Sequence, residues 1–82
     1  MLVNGRPPVF IRTADVARIL GYRVERARLW LKRNGALIVV DHDAAGRPQY
    51  GTTVERLRQH VHPDIWEEVS LRATELGVEL DE

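Results

Sequence analysis

An 82-residue chain without cysteine has room for one small domain, and it has neither a disulfide nor a thiolate metal site to reinforce a thin core. That size disfavours an elaborate catalytic pocket. Its formal charge is zero, yet eleven of its twelve Lys and Arg residues lie in residues 1–60 against five acids, while residues 61–82 hold Arg72 against seven acids.

Attraction to nucleic acid follows the local field rather than the total charge, so the basic part of the chain points toward nucleic acid. The competing reading is an acidic end that only neutralises its own domain. Eleven of the twelve cations are arginine, a side chain suited to bidentate phosphate and guanine contacts. No apolar run approaches the roughly 20 residues that span a bilayer. The start "MLVNGRPPVF" lacks the charged and apolar regions of a secretory signal. The expectation is a soluble protein of the cytoplasm, in a bacterial cell or phage-infected host, with no membrane partner.

In chain order, Asn4-Gly5 is a turn dipeptide, and Pro7-Pro8 forbids a helix, giving an extended and partly mobile arm over residues 1–9 that leads into Phe10-Ile11. In "TADVARILG", Thr13 is the expected N-cap, Asp15 suits the first turn and Gly21 ends the helix. Val16, Ile19 and Leu20 then share one face. After Gly21-Tyr22 comes "RVERARLWLKR", residues 23–33. A wheel of about 100° per residue puts Val24, Ala27, Trp30 and Leu31 on a core face, with Arg26, Arg28, Leu29, Lys32 and Arg33 on the other. Two short helices across a tight glycine turn form helix-turn-helix geometry.

Asn34-Gly35 supplies a C-cap, and the β-branched "ALIVVD" predicts a strand. "DHDAAG" reads as a turn, with Asp41 and Asp43 in it, followed by a short "RPQY" in which Pro48 is tolerable only on an edge. The expectation is a two-stranded hairpin with its tip near Ala44 to Gly46, which is a wing. Thr52 and Glu55 stand in capping-box spacing before Val54, Leu57 and Val61. Asp64 and Glu67 repeat that spacing at the start of a helix ending at Leu76, with Gly77 as its C-cap. Ile65, Val69, Ala73 and Leu76 make its apolar stripe, flanked by Trp66. Leu71 falls on the opposite side among acids, and "VELDE" should fray. The fold class expected is mainly α with a small β-hairpin, a winged helix-turn-helix over residues 10–61, preceded by the arm and followed by an acidic helix and tail over 62–82.

With Thr13 before "ADVARILG", "VERARLWL", a glycine after that helix, "GRPQY" and a capped helix in place, residues 10–61 resemble the winged helix-turn-helix domain of excisionases and MerR-type regulators. Phage small terminase subunits and small repressors share this short pattern. The resemblance implies that Trp30 anchors the second helix to the first, and that Arg28 holds the first of two adjacent DNA-facing positions. It sets Arg26 where a small hydroxyl residue is common and Glu25 at a position that faces DNA in some excisionases. The chain departs from the pattern at Arg23, where a Ser or Thr N-cap is usual, and at Leu29, where a second basic residue is usual. An excisionase-like role implies several copies side by side on bent double-stranded DNA, assisting an integrase. A MerR-type or phage transcriptional regulator is the alternative within the same physical class.

The candidate DNA-contacting residues are therefore Arg12, Arg23, Glu25, Arg26, Arg28, Leu29, Lys32, Arg33 and Arg47. Arg26, Arg28 and Lys32 would meet base edges or phosphates in the major groove, and Leu29 would meet a thymine methyl group or a protein. Arg47 at the wing tip and Arg12 at the first helix would reach phosphates or the minor groove. An ordinary solvated face is the bland alternative, and Trp30 and Trp66 read as core. "DHD" at 41–43 and "HVHPD" at 60–64 lack zinc-motif spacing, and no nucleophile is paired with a base, so no metal, cofactor or enzymatic activity is expected. The acidic helix could dock on the domain, make a dimer or partner contact through its stripe and Leu71, or shield the DNA-binding face. A module that binds proteins through this helix, and no DNA, is the reading from another class.

Overall fold

Residues 8–80, which the computed structural model describes, form four helices and one three-stranded antiparallel sheet. The order is β1 (Phe10–Arg12), α1 (Thr13–Leu20), α2 (Val24–Arg33), β2 (Ile38–His42), β3 (Pro48–Thr53), α3 (Val54–His60) and α4 (Pro63–Leu76). Asn4-Gly5, Pro7, most of the expected arm and the last two acids lie outside the described residues.

The sheet corrects the expected two-stranded hairpin. Its order is β1-β3-β2, so the strand beginning at Pro48 is central rather than an edge. Pro48 is tolerated because β1 reaches only Gly51 to Thr53, leaving the first residue of β3 with β2 alone as its neighbour. Three residues of β1 are too few to show an alternating pattern, which hid the strand in the sequence. Ile11, paired with Thr52, is its buried residue. A bulge between Val39 and Asp41 shifts the β2–β3 register, so Asp41 belongs to β2 and not to the turn.

The close approach of β1 to β3 depends on Gly51. A Cβ there would collide with the Ile11 carbonyl oxygen and stand 2.9 Å from the Arg12 Cα. At the far end of α2, the Ala36 amide donates to the Leu31 carbonyl and the Gly35 amide to that of Lys32, with Gly35 at φ 65°. This is the Schellman arrangement, and it frees the chain to turn into β2.

Three caps differ from expectation by a residue or two. Thr13 does not cap α1: its hydroxyl donates to the Tyr50 carbonyl at 2.8 Å, and Arg12 stands at the cap position. Pairing with Phe10 and Ile11 carries β3 through Thr52 to Thr53, so α3 begins only at Val54 and Thr53 caps it, accepting from the Arg56 amide at 3.2 Å. Pro63 occupies the first turn of α4, a position its fixed φ suits, so the cap falls to His62, whose Nδ1 accepts from the Asp64 amide.

The core gathers Ile11, Val16, Ala17 and Ile19 with Ala27, Leu31, Ala36, Val54 and Leu57. Trp30 and Trp66 pack half-buried against it. α4 docks on α1, closing the core with Val69 and Ala73, and Arg72 donates from Nη1 to the Ile19 carbonyl at 3.1 Å. Val24 and Ile65 are corrections to the expected core faces, since both are about half exposed. A wheel carries no position along the axis, and each of these residues lies in the first turn of its helix, before the buried positions begin.

Candidate nucleic-acid interface

α2 earns its place by two fully buried residues, Ala27 and Leu31, spaced four apart so that they share one face. That leaves the opposite face to solvent. All nine candidate residues are exposed: Arg23, Glu25, Arg26, Arg28, Leu29, Lys32 and Arg33 along α2 and its cap, Arg12 at the end of β1, and Arg47 at the hairpin tip. From Arg23 to Arg33, at about 1.5 Å per residue, the cationic face runs about 15 Å. Leu29 lies at its centre and is 46% exposed.

Two tyrosines hold two of these arginines. The Arg26 guanidinium stands 4.7 Å from the centre of the Tyr22 ring, and that of Arg28 stands 5.5 Å from the Tyr50 ring. Each contact combines cation–π attraction of about 0.5–1 kcal/mol at an exposed site with a restricted range of side-chain directions. Tyr50 does more than support Arg28. Its carbonyl accepts the Thr13 hydroxyl, and it pairs across the sheet with Val39, so one residue ties the start of α1, the outer face of α2 and the hairpin together. Arg47 lies three residues before it, at the end of the hairpin turn immediately ahead of β3.

No protein-family model, characterised protein or solved structure matches the chain. The residues themselves must carry the functional reading.

The acids near this face divide into two groups. Asp41 meets Arg12 at 3.2 Å, and Asp43 meets Arg47 at 3.3 Å, so two of the candidate cations are held by carboxylates on the hairpin. Among the described residues no ion pair ties an α2 cation to an acid. The same carboxylates account for the "DHD" stretch: Asp43 also accepts from the Ala45 and Arg47 amides at 2.9 Å each, which shapes the hairpin turn. His62 is engaged at the cap of α4. Among the described residues no three His, Asp or Glu side chains gather as a metal site would need. No helix there is long and apolar enough to cross a membrane.

Arg23 stands at the α2 cap without a side-chain hydrogen bond to the first turn. Leu71, the candidate partner contact, is 62% exposed on α4. The tyrosines are what sequence reasoning missed. Tyr50 lies 22 residues from Arg28 in a strand of no regular alternation, and only the packing of the sheet beside α2 brings the two together.

Proposed function

We propose that this chain binds double-stranded DNA as a winged helix-turn-helix protein of the excisionase kind, with α2 entering the major groove and the β2–β3 hairpin acting as the wing. The observation that carries the reading is the outward face of α2, where Arg26, Arg28, Lys32 and Arg33 form no ion pairs among the described residues while Tyr22 and Tyr50 steady two of them. A cationic helix of this length suits the major groove, which is about 12 Å wide. The three residues between α1 and α2, and the antiparallel hairpin that follows, give further support to it.

The roles divide by chemistry. Arg28 reads a base edge, its direction limited by Tyr50. Arg26, Lys32 and Arg33 neutralise phosphates, and Leu29 supplies the apolar contact between them. Arg12 and Arg47 exchange their carboxylate partners for phosphate when DNA arrives. With about five cations meeting phosphates, the logarithm of affinity falls with the logarithm of salt at a slope near −4.5. Arg28→Ala weakens binding to a cognate duplex by at least about 1 kcal/mol and relaxes preference at one base position. A salt-independent or undetectable interaction at low salt would sink the DNA reading. Duplex bending, measured by gel mobility with the site moved along a fragment, separates an architectural role from simple occupancy.

A further inference from the structure

α4 carries a face built like that of α2 with the opposite sign. Val69 and Ala73 turn one side of the helix into the core, and Arg72 is directed to the Ile19 carbonyl. On the far side, Asp64, Glu67, Leu71 and Glu75 follow one another at intervals of three and four residues, with Glu68 beside them, and all five are exposed. Leu71 is the centre of this ring of carboxylates. On α2, Leu29 is the centre of a ring formed by Arg26, Lys32 and Arg33 with Glu25. One exposed leucine is ordinary on any surface. Two leucines, each at the middle of a helix face of single dominant sign, the signs opposed, make a matched pair.

The pair is not satisfied within one molecule. α4 docks on α1, and among the described residues no ion pair joins an α4 acid to an α2 cation. We propose that the outer face of α4 is a docking surface for the α2 face of a second copy of this chain, with Leu71 against Leu29 and the carboxylates of one helix against the cations of the other. The contact is heterologous, since two different patches meet. It uses the surface that DNA would use, so a bound duplex and a bound second copy exclude each other. The inference stands on the charge pattern and does not require that the chain bind DNA.

Charges at such a surface are screened over about 8 Å at physiological ionic strength, so the association is strongest at low salt. The test is sedimentation velocity without DNA, from micromolar to millimolar protein, on the full chain and two charge-reversed variants. One variant carries Glu67→Lys and Glu75→Lys on α4, and the other carries Arg26→Glu and Arg33→Glu on α2. The wild type should self-associate at low salt and dissociate at high salt. Each variant alone should associate at least roughly tenfold more weakly, because like charges then face each other. Mixed in equal amounts, the two variants should associate again, since every contact between them is complementary; this mixture also controls for misfolding of either variant. A wild type that stays monomeric at low salt throughout, or variants that associate as well as the wild type, would overturn the proposal. So would a mixture that behaves as its separate components.

Discussion

Replacing Gly51 with alanine tests whether the sheet that supports the basic helix is held by close backbone approach. The added Cβ meets the Ile11 carbonyl and lies 2.9 Å from the Arg12 Cα, atoms of backbone that no rotamer change can move aside. If β1 stays in place, overpacking costs about 1–3 kcal/mol. If it withdraws, Ile11, buried to 2% exposure, is returned to water at about 1.5–3 kcal/mol, and the pairing of Phe10 to Arg12 with β3 is lost. These are alternative routes to relief, so the expected loss is about 2–3 kcal/mol rather than their sum. A chain of this length has a total stability of about 4–12 kcal/mol. At about 4–8 °C per kcal/mol, the midpoint of thermal unfolding should fall by roughly 10–20 °C, followed by far-ultraviolet circular dichroism with urea unfolding as a second measure. Gly35→Ala is the comparison: Gly35 has φ 65° but no neighbour within 4 Å of an added Cβ, so it meets only a conformational penalty of about 1–2 kcal/mol. A Gly51→Ala protein that melts with the wild type, or one less affected than Gly35→Ala, refutes the steric argument.

Two adjacent threonines should respond in opposite ways. Thr53→Ala removes the α3 cap and is expected to cost about 1 kcal/mol, whereas Thr52→Val, at a buried hydroxyl without a hydrogen-bond partner among the described residues, should be neutral or stabilising in urea titration. If Thr52→Val loses as much as Thr53→Ala, the Thr52 hydroxyl has a partner after all. For the DNA reading, Tyr50→Phe should keep the affinity of the wild type for a cognate duplex, while Tyr50→Ala should lose most of what Arg28→Ala loses. The double variant should then be little worse than either, because ring and guanidinium act through one contact. Equal binding by Tyr50→Ala and wild type in fluorescence anisotropy would release Arg28 from Tyr50. On α4, Leu71→Ala should shift the unfolding free energy by no more than about 0.5 kcal/mol, against about 2–5 kcal/mol for Leu57→Ala in the core. A large loss at Leu71 would place that side chain inside the fold and end its candidacy as a contact.

Spacing along the chain was enough for whatever depends on neighbours a few residues apart. Helix faces recur within a turn or two, so Val16, Ile19, Ala27 and Leu31 could be assigned to the core and the cations of α2 to solvent from spacing alone. Gly21 and Gly77 mark helix ends through their own left-handed conformations. The charge division needed only counting. Tertiary structure decided whatever rests on pairing across the chain. That Thr53 rather than Thr52 caps α3 depends on β1, whose Phe10 and Ile11 carry β3 on to Thr53; β1 is a strand of three residues that has no pattern of its own and exists because β3 offers it a partner. That same pairing made Pro48 part of a central strand and fixed Gly51 as a residue without room for a side chain. Val24 and Ile65 escaped the core because burial depends on where along its axis a helix is covered, which a periodic pattern does not record. The junction at Tyr50 belongs to this second class. Thr13, Arg28 and Val39 reach one residue from three elements, and only the folded chain brings α1, α2 and the hairpin to the same point.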